Sequence, residues 1–158
     1  MATEIEHKFL VRTELWRPRS PGRLIRQGYL SVQKERVVRI RMAGDGAVIT
    51  VKGETRGLTR HEFEYAIPVA DAEFILNTLC LKPVLVKTRY RETLGRHSWD
   101  VDVFHDENDG LVLAEVELEN EQQSFEKPAW AGDEVSNDPR YFNSNLTTSP
   151  FRQWRNAV

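Results

Sequence analysis

Glu4-Ile5-Glu6-His7-Lys8-Phe9 reads as a β-strand with two unlike faces. Side chains alternate across a strand, so Glu4, Glu6 and Lys8 share one face and Ile5, His7 and Phe9 the other. Two carboxylates and an ammonium in one row combine metal-liganding with phosphate-binding chemistry. The alternation then recurs along the chain, each time with charges of its own. Arg39 and Arg41 oppose Val38, Ile40 and Met42, and Lys52 with Thr50 opposes Ile49 and Val51. Glu62 and Glu64 oppose Phe63, Tyr65 and Ile67; Lys87, Arg89 and Arg91 oppose Val86, Thr88 and Tyr90. Asp100 and Asp102 oppose Trp99, Val101 and Val103, and Glu115, Glu117 and Glu119 oppose Ala114, Val116 and Leu118.

With Leu24 to Gln33, where Tyr29, Ser31 and Gln33 share a face against Leu30 and Val32, these runs predict eight strands. Turn signals at Gly44-Asp45-Gly46, Thr55-Arg56-Gly57, Gly95 to His97 and Glu107-Asn108-Asp109-Gly110 join most of them as hairpins. One helix interrupts the series. Asp71 is its expected N-cap, Phe74, Ile75 and Leu79 its apolar stripe, and Pro83 its stop. Beyond Glu119 the character changes. Gln122 to Trp130 is open to a helix, Trp130 to Val135 reads as a loop, and Asp138-Pro139 as a helix start. This tail is expected to supply apolar caps and no chemistry.

At 158 residues, 40% apolar and 29% charged, the chain predicts one folded domain over 1–158 and not a disordered segment. No apolar run reaches the roughly 18–20 residues of a membrane helix. The first residues carry acids where a signal peptide carries bases, so a cytoplasmic protein is expected. Cys80 is the single cysteine, which excludes an internal disulfide, and its leucine neighbours predict a buried thiol. The net charge of −2 leaves any functional field to the placement of charges.

An antiparallel sheet with one wet face would produce such alternation without function. Segregation of the charges by sign argues otherwise, because a face selected for solubility intersperses them. Closing eight antiparallel strands gives an interior wide enough for one small ligand. An interior lined with this many ions must hold water, since each ion removed from water costs several kcal/mol. Carboxylates there call for hard divalent cations, and Arg and Lys for phosphate oxygens. A polyphosphate that binds a metal satisfies both.

The ordered series, from the ExExK of Glu4-Ile5-Glu6-His7-Lys8 through Arg39-x-Arg41, Lys52, Glu62-x-Glu64, Lys87-x-Arg89 and Asp100-x-Asp102 to Glu115-x-Glu117, resembles the CYTH family, or triphosphate tunnel metalloenzymes. The resemblance implies a closed eight-stranded antiparallel tunnel with flanking helices, mainly β, that uses Mg²⁺ or Mn²⁺ to hydrolyse or rearrange a triphosphate. Inorganic tripolyphosphate, cut to pyrophosphate and phosphate, is the expected substrate. Thiamine triphosphatase, ATP cyclisation and a non-catalytic polyphosphate or nucleotide binder are the alternatives.

Glu4, Glu6, Glu115, Glu117, Glu62, Glu64, Asp100 and Asp102 are the candidate metal ligands. Lys8, Arg39, Arg41, Lys52, Lys87 and Arg89 would grip phosphate. Lys87, Lys52 and Tyr29 are the candidates for catalysis, Tyr29 against the plainer reading of a core or rim tyrosine. Arg91 and Glu119 are expected at the tunnel mouth. His7, His61, His97 and His105 are expected to be structural, and Trp99, Trp130 and Trp154 to pack. A small-molecule triphosphate is the expected partner, with a homodimer left open and neither membrane nor nucleic acid expected.

Overall fold

In a computed structural model that describes residues 3–155, the charged rows become strands. In chain order they are β1 (Thr3–Val11), β2 (Arg23–Gln33), β3 (Arg36–Ala43), β4 (Gly46–Lys52) and β5 (Thr59–Ala66), then helix α1 (Val69–Thr78). There follow β6 (Leu85–Leu94), β7 (His97–Phe104), β8 (Val112–Glu117), β9 (Ala131–Glu134), α2 (Asn143–Thr148) and α3 (Phe151–Trp154). Strand order is β5-β4-β3-β2-β6-β7-β8-β1-β9, and β5 also pairs with β1. Eight antiparallel strands therefore close into a ring, the architecture expected, and β9 lies on the second half of β1. The seam is short: Thr3, Glu4 and Ile5 face His61, Arg60 and Thr59.

Three apolar clusters hold the ring. Outside β1, β7 and β8, Phe9, Trp99, Val101, Ala114 and Val116 pack with Trp16, Phe125 and Trp130. Outside β2, β3 and β4, Ile40 and Ala47 lie under Ala72, Leu76 and Cys80. The third cluster belongs to the ring's inner face. Tyr29, Val37, Leu85, Phe104 and Leu113 meet Val135, Tyr141 and Leu146 of the tail and plug one end.

Five expectations need correction. Helix α1 begins after Pro68 and makes no side-chain cap; Asp71 sits in its first turn, where it favours the positive end of the helix dipole. The buried stripe is Ala72 and Leu76, one turn apart, while Phe74 and Leu79 are exposed. Gln122 to Trp130 is not helical: Pro128 lacks an amide donor, and Phe125 and Trp130 bury their rings against Trp99. The expected loop after Trp130 contains β9, because β1 beyond Phe9 has no β5 beside it and its free edge takes a new partner. Finally, β2 shifts register between Tyr29 and Ser31. An extra residue in one strand reverses the alternation after it. Tyr29 therefore pairs with Arg39 on the inside while Ser31, opposite Val38, points out and bonds the Arg36 carbonyl. Val32 packs inward against the plug.

Gly28 of β2 runs directly under α1. A Cβ there would stand 2.9 Å from Cys80 Sγ and 3.0 Å from Leu76 Cδ2. Gly28→Ala should lower stability by about 1–3 kcal/mol through overpacking, read by urea unfolding. An unchanged midpoint would mean that α1 is loosely seated.

Candidate active site

Residues directly opposite in an antiparallel ladder share a face. Glu6 faces Glu117, Lys8 faces Glu115, and Asp100 faces Glu115. Arg91 faces Asp100, Arg89 faces Asp102, Gln27 faces Arg41, Tyr29 faces Arg39, and Lys52 faces Glu62. Ring closure thus turns separate rows into one interior, a cavity of about 870 Å³. Glu4, Glu6, Lys8, Tyr29, Arg39, Arg41, Lys52, Glu62, Glu64, Lys87, Arg89, Asp100, Glu115 and Glu117 all line it. Arg91, largely exposed, and Glu119, beyond the end of β8, border its mouth, as does His97.

On the acidic side, Glu6 and Glu115 share a hydrogen bond. Burial, then the charges of Glu115 and Glu4, push Glu6 well above the usual carboxylate range. Burial acts the same way on Glu115 but is outweighed by Lys8, the Glu6 hydrogen bond and the nearby Arg89 and Lys87, which hold it well below. Lys52 lies 3.2 Å from both Glu4 and Glu62. Among the described residues no three acids are gathered in a metal-ligating group; they stand in pairs.

The basic side is deeper. Lys87, 1% exposed, places its ammonium 2.8 Å from both Asp102 Oδ2 and Asn143 Oδ1. Burial lowers its pKa to about 7 despite Asp102, with Arg89 and Arg41 acting in the same direction as burial. Arg89 forks onto Asp102 at 2.8 and 2.9 Å. Lys8 donates to the Tyr141 carbonyl at 3.3 Å and stands over the Phe142 ring. Arg39 donates to Thr50 Oγ1 at 3.1 Å, and its buried Nε has no partner. Arg41 Nε donates to Gln27 Oε1 at 3.0 Å.

Asp102 does not line the cavity with the other ligand candidates. It lies behind Lys87 and Arg89, 1% exposed, as the counter-ion of both. The tail, expected to carry no chemistry, supplies Asn143, the Tyr141 carbonyl and Phe142 to the two lysines. Gln27 was also missed, although it stands two residues before Tyr29 and alternation alone puts both on one face; no local signal marks Asn143. His7 and His105 bond Glu134 and Thr88, and Trp99 and Trp130 pack together 5.5 Å apart, consistent with structural roles.

A second cavity, of about 690 Å³, shares Arg41, Glu64, Arg89, Arg91 and Asp100 with the first. Its other walls include Ile25, Ala43, Ala47, Val48, Ala66 and Ile67. The ring interior thus adjoins an apolar vestibule that the charge rows gave no sign of.

Such a ring, charged within, apolar without and plugged at one end, defines a class of antiparallel β-tunnel proteins built to hold a small polyanion with its counter-ions. The chain belongs to the CYTH family: the CYTH domain model matches residues 2–148. It is 46% identical over 155 residues to an inorganic triphosphatase of Acetivibrio thermocellus, covering 98% of this chain and 99% of that one. It is 37% identical over 155 residues to an inorganic triphosphatase of Nitrosomonas europaea, covering 93% and 98%. A crystal structure of an inorganic triphosphatase superposes with a TM-score of 0.65 at 34% identity, over 93% of this chain and 95% of the other. A putative adenylate cyclase from Bacillus halodurans shares the fold, with a TM-score of 0.61 at 16% identity over 77% and 84% of the two chains.

Proposed function

We propose that this protein is a divalent-metal-dependent triphosphatase that hydrolyses inorganic tripolyphosphate to pyrophosphate and phosphate. The observation that carries it is the facing, inside one cavity, of the half-buried carboxylate pair Glu6 and Glu115 and of five cations, the buried Lys8, Arg39 and Lys87 and the half-buried Arg41 and Arg89. The names of its relatives at 46% and 37% identity support the same activity.

Glu6 and Glu115, with Glu4 and Glu117 beside them, would hold Mg²⁺ or Mn²⁺. Their oxygens suit a hard cation, and carboxylates packed closely enough to share a proton are the arrangement a cation relieves. Mg²⁺ is usually bound through one or two carboxylates with substrate phosphates, so pairs of acids suffice. When bound, the ion neutralises phosphate charge and makes water more acidic. Glu62 and Glu64, paired with Lys52 and Arg39, and Asp100, paired with Arg89 and Arg91, are second choices.

The transferring phosphoryl group passes through a loose transition state, so positioning and electrostatics carry the catalysis. Arg39, with its unpartnered Nε, and Arg41 would hold phosphate oxygens in forked bonds, Arg89 through the donors its fork onto Asp102 leaves over, and Lys8 and Lys52 as point charges. Lys87, poised near neutrality on the tunnel floor, can carry or yield a proton close to the reacting phosphate. The Tyr29 hydroxyl accepts from Gln27 at 3.1 Å and belongs to the same polar chain. A buried thiol kept free of any disulfide suits the cytoplasm.

The apolar vestibule favours a second reading, in which the α-phosphate carries an organic group, as in ATP or thiamine triphosphate. Phosphate release from tripolyphosphate, ATP and thiamine triphosphate, compared by kcat/KM at one metal concentration, separates them. Tripolyphosphate is expected to lead. A tenfold advantage for either organic substrate would give the vestibule that role, and cyclic AMP among the products would indicate cyclisation. With metal stripped and chelator in excess, activity should vanish and return with Mg²⁺ or Mn²⁺. Full turnover in chelator would sink the metal assignment.

A further inference from the structure

We propose that Asn143, held by Gln27, is a positioning residue that fixes the Lys87 ammonium on the tunnel floor, so that the C-terminal tail completes the active site. The inference rests on the reading of Lys87 as a catalytic residue. Five side chains from four separate parts of the chain form one hydrogen-bonded run. Arg41 Nε donates to Gln27 Oε1 at 3.0 Å. Gln27 Nε2 donates to the Tyr29 hydroxyl at 3.1 Å and to Asn143 Oδ1 at 3.0 Å. Lys87 Nζ donates to the same Asn143 oxygen at 2.8 Å. Gln27 is 0% exposed, so its carboxamide is pinned at both ends with no water to substitute for a lost partner.

Each bond fixes the next. Because Arg41 can only donate, it takes the Gln27 oxygen and turns the Gln27 amide toward Asn143 and Tyr29. The Gln27 amide in turn requires an acceptor, which orients the Asn143 oxygen toward Lys87. An ammonium has three N–H donors. Asp102 and Asn143 provide two acceptors at 2.8 Å on the floor, and the third donor is left for a phosphate oxygen in the cavity that Lys87 lines. A lysine stem is flexible, and a point charge orients nothing unless its head is held. Asp102 supplies charge to that head, and Asn143 supplies a second, neutral acceptor that sets its direction. The tail is itself anchored: α2 buries Leu146 in the plug, and Tyr141 and Phe142 hold Lys8 from the same segment.

The test measures kcat and KM for tripolyphosphate at saturating Mg²⁺ in the whole protein carrying Lys87→Ala, Asn143→Ala, Asn143→Asp, Gln27→Ala, or Gln27→Ala with Asn143→Ala. Circular dichroism and urea unfolding run in parallel. Asn143→Ala is expected to lower kcat about 10–100-fold with KM within about threefold, the pattern of a lost transition-state interaction. Asn143→Asp keeps the acceptor oxygen and should recover most of kcat. The double variant should lose less kcat than the product of the two single losses, because residues acting as a unit are not additive. Lys87→Ala inactive with Asn143→Ala within twofold of wild type would overturn this inference alone. Lys87→Ala as active as wild type would overturn both it and the reading of Lys87. Additive losses that Asn143→Asp does not restore would also overturn it, by making the run merely structural. Should Asn143→Ala not fold, Asn143→Asp and Gln27→Ala decide: retention of kcat in the first and its loss in the second are expected, and the reverse would overturn the proposal.

Discussion

Arg39→Ala and Arg41→Ala are each expected to lower kcat/KM for tripolyphosphate by on the order of 10²–10³ while the protein stays folded. Both guanidinium groups face the cavity, where pre-placed donors act on phosphate charge in a confined, poorly screened site. Both can be removed without leaving a buried charge alone. The partners of Arg39 are the neutral Thr50 and a Glu64 carboxylate whose side chain is 45% exposed. The partner of Arg41 is the neutral Gln27. Steady-state kinetics beside urea unfolding checks the claim. Unchanged activity with unchanged stability would mean that this row does not touch substrate and that the charges only solvate a sheet face.

Asp102→Ala should do the opposite and strike the fold. Asp102 holds Lys87 at 2.8 Å and both arms of Arg89, and all three side chains are mostly or wholly buried. Removing one partner from a buried ion pair costs about 3–5 kcal/mol, because the remaining charge has neither partner nor water. Lys87, already near neutrality, can shed its proton; Arg89 cannot. Burial pushes Asp102 up, but Lys87 and Arg89 outweigh it and hold it at about 2, below the ordinary 3.8. A carboxylate with a depressed folded pKa stabilises the native state above its unfolded pKa. That contribution is lost as pH falls from about 4 through about 2. Wild-type stability should therefore decline over that window more steeply than that of Asp102→Ala. A variant within about 1 kcal/mol of wild type at pH 7 would refute the counter-ion role, since breaking a buried pair is rarely that cheap.

What the sequence by itself determined is the set of strands and which side of each is charged. Two-residue alternation is a property of the extended backbone, so Glu4-x-Glu6-x-Lys8 or Lys87-x-Arg89 can be assigned a face from local information alone. Segregation by sign then implied a shared interior, and thirteen of the fourteen candidate acids and bases do face it, the exception being Asp102. What only the tertiary structure decided depends on contacts between residues far apart in the chain. Asp102 sits in the same alternation as Asp100, yet it lies behind Lys87 and Arg89, paired with both and outside the cavity lining, and depth is set by how the ring closes. The bulge after Tyr29 reverses Ser31 and Val32, and β9 forms because β5 leaves half of β1 unpaired. Asn143 reaches Lys87 across 56 positions of sequence. Periodicity carries no information about such distances: alternation reports which way a side chain points, and burial and partner choice, which set the pKa of Lys87 and the role of Asp102, follow only once the strands have closed around them.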